Sequence, residues 1–227
     1  MRNAIEIGNG FIVTTDNSGG IGEKTGDIVA APDHVTAYFA ARVALLEQWT
    51  SHSEPVTIMI HNFSGSASWD KYVAGVTDLF RETGLEVPAI SGSTETNMEL
   101  VQSAVAVTMI GERKEQTLSG EIVWFTYGVP LVGNEVLERK EEVASLRLLR
   151  DALVDGIVQQ IWPVGSSGIL QEVRQMTGDG ATQVETVLDP IKSGGPATVV
   201  LVAIPWGRII EAEELFGALL NKIKIIS

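Results

Sequence analysis

Short apolar, β-branched runs alternate with longer helical patterns through the first half of the chain. Phe11 to Thr15 reads as a strand, ending in the turn-rich segment DNSGGIGEKTGD. A helix is expected from Asp33 to about Trp49, with Val35, Phe39, Val43 and Leu46 on one face. Ala37, Ala40, Ala44, Glu47 and Ser51 recur at steps of three and four on another face, a small-residue stripe that permits close approach. Val56 to Ile60 reads as a strand, and Ser68 to Phe80 as a helix stopped by Gly84. A strand at Val87 to Ile90 then leads into the loop SGSTETN, and strands follow at Ala104 to Ile110 and Glu121 to Tyr127.

After the turn-rich GVPLVGN, a long charged helix is expected over Glu135 to Asp155, with Val143, Leu146, Leu149 and Leu153 on one side. A strand at Ile157 to Trp162, a helix at Ile169 to Thr177, a strand at Val199 to Ile204 and a helix from Glu211 to about Ile223 complete the pattern. The order implies an α/β (α+β) chain of mixed sheet and flanking helices. The turn cluster divides it into residues 1–130 and a shorter α/β part, 131–227.

Composition narrows the chemistry. With no cysteine, disulfides, thiolate metal sites and thiol nucleophiles are excluded, which fits a reducing, cytoplasmic setting. A formal net charge of -13 opposes a nucleic-acid or anionic-membrane partner, since both need a basic field. No apolar run approaches the length of a membrane span.

The strongest local signal is the segment from Thr14 to Asp27. A strand running through Asp16 into Gly19, Gly20 and Gly22 suits close approach to phosphates, with Lys24 as a point charge and Asp16 and Asp27 as metal ligands. It matches neither the P-loop nor the dinucleotide fingerprint, and a surface loop is the plain alternative. In the loop after Ile90, Ser93, Thr94 and Glu95 offer oxygens to a magnesium-bound phosphate or, equally, a helix cap. Of the histidines, only His61, at a strand end beside Asn62, is a candidate for such a site, and a hydrogen-bonded structural histidine is the favoured alternative. In the second part, PVGSSG (Pro163 to Gly168) suggests amides at a helix start for an oxyanion. SGGPAT, from Ser193 to Thr198, is a second small-residue loop.

Taken in order, three pieces resemble the aminoimidazole ribonucleotide synthetase superfamily, to which thiamine monophosphate kinase, selenophosphate synthetase and a hydrogenase maturation protein belong. They are TDNSGGIGEK from Thr15 to Lys24, Glu47 seven positions before Glu54-Pro55, and SGSTE from Ser91 to Glu95. Two departures stand out: Glu47 replaces the usual Asp, and Ser93 the usual acid. Within the superfamily the chain is most similar to the α-ribazole kinase group, through DNSGGIGEK, RVALLE, HNFSG, GSTETN, LVQSAV and PVGSSG.

The resemblance implies an ATP- and Mg2+-dependent kinase acting on a small phosphate acceptor, α-ribazole in cobalamin salvage, with residues 1–130 as the nucleotide-binding, homodimer-forming part. It carries over Asp16 as a metal ligand, Lys24 as a phosphate contact and Glu47 as the helix carboxylate; Asp27 and Glu95, read from their own loops, complete the expected magnesium ligands. From the loops themselves, Gly19, Gly20, Gly22, Ser93, Thr94 and Glu95 are expected to contact ATP with Asp16 and Lys24; Lys24 and Glu47 would serve the reaction, and His61, like Glu95, is a candidate base where the sequence identifies none. The alternatives are activation of an amide or formyl oxygen by ATP, and a nucleotide-binding module without catalysis.

Overall fold

A computed structural model describes residues 3–114 and 120–226. The chain divides into two compact units between Glu115 and Gln116. The division expected near residue 130 therefore falls too late. The strand at Ile122–Tyr127 pairs with later strands and belongs to the second unit. Residues 115–119, in the connection between the units, lie outside the described residues.

The first unit contains β1 (Ile5–Glu6), β2 (Phe11–Gly19), β3 (Ile21–Gly22), β4 (Val29–Ala30), α1 (Asp33–Thr50), β5 (Ser53–Asn62), α2 (Trp69–Thr83), β6 (Ala89–Thr94) and β7 (Ala104–Arg113). Its five-stranded sheet has the order β1-β2-β7-β5-β6. Only β5 and β6 run parallel within it, and α2 supplies the crossover that a parallel pair requires. Both β2 and β6 outrun their expected lengths. β2 continues through Asp16 to Gly19 because β7 offers a partner at every position, Gly19 pairing with Ala104.

Alternation sorts the strands' side chains onto two faces. Ile12, Thr14, Ile58, Ile60, Val107 and Met109 are buried on the helix side, whereas Thr15, Thr57, Met59, His61, Thr108 and Ile110 stand on the other, partly exposed. Helix α1 packs on the first face and against α2, and is buried around most of its circumference. That is why its pattern shows little amphipathicity. Gly75 of α2 marks the closest approach of the helices, since a Cβ there would stand 1.9 Å from the His34 carbonyl oxygen.

One polar side chain bolts α1 to the sheet. Gln48 is fully buried, and its Nε2 donates to the Ile12 carbonyl, the Thr14 Oγ1 and the Met109 carbonyl, each at 3.1 Å. Ser53 Oγ donates to its Oε1. A buried amide is tolerated only when so satisfied.

The second unit holds β8 (Ile122–Tyr127), α3 (Asn134–Glu138), α4 (Leu146–Val154), β9 (Gln160–Pro163), α5 (Gly168–Thr177), β10 (Gln183–Glu185), β11 (Val200–Pro205), α6 (Ile209–Phe216), β12 (Leu220–Lys222) and β13 (Lys224–Ile226). Its main sheet is antiparallel, in the order β12-β8-β11-β9, and β10 pairs separately with β13. Strand β11 is buried from Val200 to Ile204, so its sequence is apolar without alternation. One core joins Trp162, Val164, Ile169, Val173, Val199, Leu201 and Ile223.

The single helix expected over 135–155 is instead two, α3 and α4. Between them Val143 is extended, Ala144 donates its amide to the Thr198 carbonyl, and Ser145 caps α4 by accepting from the Leu148 amide. The apolar spacing continued across a break that tertiary pairing imposes. The last expected helix likewise ends early, at Gly217 with φ +59°, and the chain then turns into β12 to extend the sheet. Among the described residues no helix is long and apolar enough to cross a membrane.

Replacing Gln48 by Met should keep the side chain's length while leaving the Ile12 and Met109 carbonyls without their donor. We expect a loss of about 1–3 kcal/mol in urea unfolding. A change below about 0.5 kcal/mol, the usual scale of a surface substitution, would show that the amide does not anchor the helix.

Candidate functional site

The glycine-rich turn after β2 is held against the segment 100–103. Gly20, with φ +71°, donates its amide to the Ser103 carbonyl at 2.8 Å. Space explains Gly22 and Gly26: a Cβ on the first would stand 2.3 Å from Ser103 Oγ, and on the second 2.4 Å from the Val101 carbonyl oxygen. Asp27 closes the turn. Its Oδ2 accepts from the Lys24 amide at 2.8 Å and Ser103 Oγ at 2.7 Å, and its Oδ1 from the Ser103 amide at 2.7 Å. Burial pushes the Asp27 carboxyl up, but these donors outweigh it and hold the group below the usual aspartate range.

Lys24 Nζ donates to the Leu100 carbonyl at 2.7 Å and remains on the surface. Glu23 ties the same turn to both helices: its Oε1 accepts from the Asp33 amide at 3.1 Å, and its Oε2 pairs with Lys71 on α2. Asp33 itself is buried, and its Oδ1 has no hydrogen-bond partner among the described residues. Its position suggested only a cap for α1; its burial beside the turn was not legible.

The second predicted loop is largely strand, since β6 runs to Thr94 beside β5. Asn62 Nδ2 donates to Thr94 Oγ1 at 3.2 Å, and the Glu95 amide donates to the Asn62 carbonyl at 2.8 Å. Glu95 Oε1 accepts from the amides of Asn97 at 2.6 Å and Met98 at 3.1 Å, which hold its carboxyl below the usual range. The capping alternative thus describes Glu95, with a turn in place of a helix. Beside β6 an open cleft of about 470 Å3 is lined by Ser66, just before α2, by Trp69 and Asp70 at its start, and by Gly92 and Thr94.

Asp16 shares Thr14's face of β2, the side on which Glu47 lies buried near the end of α1. Asn3 donates to both Glu47 carboxylate oxygens at 3.4 Å, from its amide and its Nδ2. His61 is on the other side of the sheet, where Thr108 Oγ1 lies 3.3 Å from its Nε2 and 3.1 Å from Thr15 Oγ1. The structure therefore does not bring His61 together with Asp16 and Glu47. Nor, among the described residues, do three acidic or histidine side chains form a group able to hold a metal ion. Asp16, Asp27, Glu47 and Glu95 are not one ready-made cage. Ser93 stands exposed on β6, paired with His61 in register.

In the second unit the Gly-Ser loop is a closed structural turn. Gly168 donates to the Gly165 carbonyl and Leu170 to the Pro190 carbonyl, so these amides of the helix start are occupied. Buried Glu172 accepts from Trp162 Nε1 at 2.9 Å and from the Gly165 amide at 3.1 Å. Sequence spacing gave no sign of that role.

No protein-family model and no curated protein sequence matches the chain. Solved structures do. A hydrogenase maturation protein HypE in complex with ATP aligns over 97% of this chain and 78% of its own, with TM-score 0.65 and 10% identity. PurL of T. maritima, complexed with AMPPCP, aligns over 99% of this chain and 42% of its own, with TM-score 0.61 and 12% identity. Thiamine monophosphate kinase from Aquifex aeolicus aligns over 96% and 86%, with TM-score 0.59 and 12% identity. These likenesses establish the fold, the mixed α/β architecture that the sequence motifs imply.

Because the carboxyl of Asp27 is depressed in the folded chain, its contribution is present above the ordinary aspartate range and is lost as pH falls through the folded value. Asp27→Asn should therefore speed hydrogen exchange at the Lys24 and Ser103 amides about tenfold or more at neutral pH. The same amides should lose protection in the parent chain only on acidification below the usual aspartate range. Unchanged exchange in the variant would show that the turn is held by other contacts.

Proposed function

We propose that this chain is an ATP-dependent phosphotransferase acting on a hydroxyl group of a small acceptor, with α-ribazole as the acceptor that the sequence motifs indicate. The carrying observation is the glycine-rich turn, fixed by Asp27 with Lys24 at its surface, on a fold shared with proteins solved with ATP or an ATP analogue. Lys24 is the phosphate contact, exchanging its bond to the Leu100 carbonyl for a phosphoryl oxygen. Gly20 spends its amide on Ser103, so any backbone contribution comes from the turn's exposed part, Glu23, Thr25 and Gly26.

Magnesium fits the donor set, because this ion takes one or two carboxylates and completes its shell with water and phosphate oxygens. Asp16 and Glu47, on one side of the sheet, are the carboxylates that would hold it, Glu47 exchanging its two 3.4 Å contacts to Asn3; Asp27 already accepts an amide on each oxygen, and Glu95 accepts two on Oε1. When bound, it offsets phosphate charge and polarises the transferred group. The protein's own part is positioning: the acceptor oxygen forms a bond to the γ-phosphorus in line with the departing ADP oxygen, and the hydroxyl proton is released. His61 is not placed to take that proton within one chain, and no base is assigned. The acceptor class, the cytoplasmic setting and the magnesium ligands all rest on this reading.

A homodimer belongs to the same proposal. The sheet face opposite the helices carries Val13, Thr15, Met59, His61, Thr108 and Ile110, which a second copy would cover. Sedimentation velocity at low micromolar concentration should then show a dimer, shifted further toward the dimer by Mg-ATP. A strict monomer that binds ATP tightly would rule out the shared sheet face.

Incubation with ATP, magnesium and α-ribazole should yield a phosphorylated nucleoside and ADP by mass spectrometry. Free phosphate with an unphosphorylated, dehydrated or cyclised product would instead favour activation of an amide or formyl oxygen. Lys24→Ala should weaken ATP about tenfold or more, the loss of one charge-assisted contact of about 1.5–3 kcal/mol, while adenosine affinity stays near the parent value. Equal losses for both ligands would mean that the turn has collapsed.

A further inference from the structure

The cleft between β6 and the start of α2 has walls of a different character from the glycine-rich turn. Trp69 gives it a half-buried indole, Asp70 an exposed carboxylate, Ser66 and Thr94 hydroxyls, and Gly92 a bare stretch of backbone. No cation lines it. A phosphate would meet the Asp70 charge with nothing to offset it, so the walls disfavour the anionic part of any substrate. A flat heterocycle finds a stacking surface on the indole. Sugar hydroxyls or an amino group find acceptors in the carboxylate and hydroxyls. The volume, about 470 Å3, is within the range of small-molecule sites.

The walls are also fixed in place. A Cβ on Gly92 would stand 2.0 Å from the Ile60 carbonyl oxygen, so β6 lies tight on β5 and leaves its outer side open. Thr94 is held by Asn62, whose Nδ2 also donates to the Gly65 carbonyl at 2.8 Å, immediately before Ser66. Asn62 therefore sets the two rims of the cleft against each other.

We propose that this cleft binds a nucleoside, an uncharged or cationic planar heterocycle with a hydroxylated sugar, stacked on Trp69 and hydrogen-bonded to Asp70. The assignment deepens the phosphotransferase reading and rests on it for the role of the ligand, not for its chemistry. Two sources share that chemistry, the nucleoside half of ATP and a nucleoside acceptor.

Calorimetric titration of the full chain with adenosine, α-ribazole and magnesium tripolyphosphate separates them. At least one nucleoside should bind, and Trp69→Ala and Asp70→Asn should each weaken it tenfold or more. Magnesium tripolyphosphate should change less than twofold in both variants, and Trp69→Phe should retain most of the nucleoside affinity. If Trp69→Ala fails to fold, Asp70→Asn and Trp69→Phe carry the same test at an exposed and an aromatic-conserving substitution. Loss confined to adenosine assigns the cleft to ATP; loss confined to α-ribazole assigns it to the acceptor. Equal nucleoside binding by parent and variants, or no nucleoside binding by the parent, overturns the proposal. Nucleoside binding that depends on Trp69, in a protein that binds neither Mg-ATP nor magnesium tripolyphosphate, would sink the phosphotransferase reading and leave the cleft assignment standing.

Discussion

The Asp27 carboxylate is the constraint on which the first unit's site depends. Three donors converge on it, two from Ser103 and one from Lys24, so the glycine-rich turn and the approach to β7 are fixed as one piece. From Ser103 the connection runs onward: the Ala104 amide donates to Ser64 Oγ at 2.9 Å, and Ser64 Oγ lies 2.6 Å from Tyr72 Oη on α2. Burial, the largest influence, pushes the Tyr72 hydroxyl up to about 12, so it stays a neutral hydrogen-bonding partner. The turn that carries Lys24 and the helix start that carries Trp69 are thus linked through consecutive hydrogen bonds and not only through the sheet. A buried network of this kind fixes a geometry because each member loses its partner if the next one moves.

This arrangement divides the work between polar groups that hold and polar groups that remain available. Asp27 and Glu95 are acidic residues in the right loops, yet Asp27 is drawn to the Lys24 amide and to distant Ser103, and Glu95 Oε1 to the amides of Asn97 and Met98. Lys24 makes a single bond to a carbonyl at the surface, a contact that a phosphate oxygen can replace with a stronger, charge-assisted one. The formal charge of -13 makes that distinction matter. In an acidic protein a polyphosphate needs local cations and a metal against the general field. Lys24 is one such local cation, whereas Lys71 is paired with Glu23 and spends its charge in tethering the turn.

Much of the fold was legible because local pattern and tertiary environment agreed. Alternation in β5 and β7 follows their one buried face, and α2 stops at Gly84 in the left-handed conformation. Reading failed where a distant partner decided the outcome. Nothing between Glu135 and Asp155 announces that Ala144 will donate to Thr198, and helical spacing runs straight through the break. The same holds for the site. Gly22 and Asp27 are conspicuous in sequence, but Ser103, 76 positions beyond Asp27, shows its part only once β7 is laid beside β2. His61 stands apart from Asp16 and Glu47 for a simpler reason: one residue of register separates the two faces of a strand, and its neighbour Asn62, not His61, points to the helix side.

The two glycine-rich loops show how similar composition is put to different ends. In the second unit, Gly194 donates to the Gly165 carbonyl, Gly168 is crowded by Ile191 and Pro190, and Glu172 fills the turn from beneath. Those glycines are explained by backbone packing, and the amides of Gly165, Gly168 and Gly194 are all bonded within the unit. In the first unit the glycines are also explained by packing, at Ser103 and Val101, but that packing leaves Lys24, Thr25 and Gly26 at the surface. Small residues alone therefore do not mark a phosphate site. What separates the two loops is the cation beside each: Lys24 bonds a carbonyl at the surface, whereas Lys192, two residues before Gly194, is paired with Glu135.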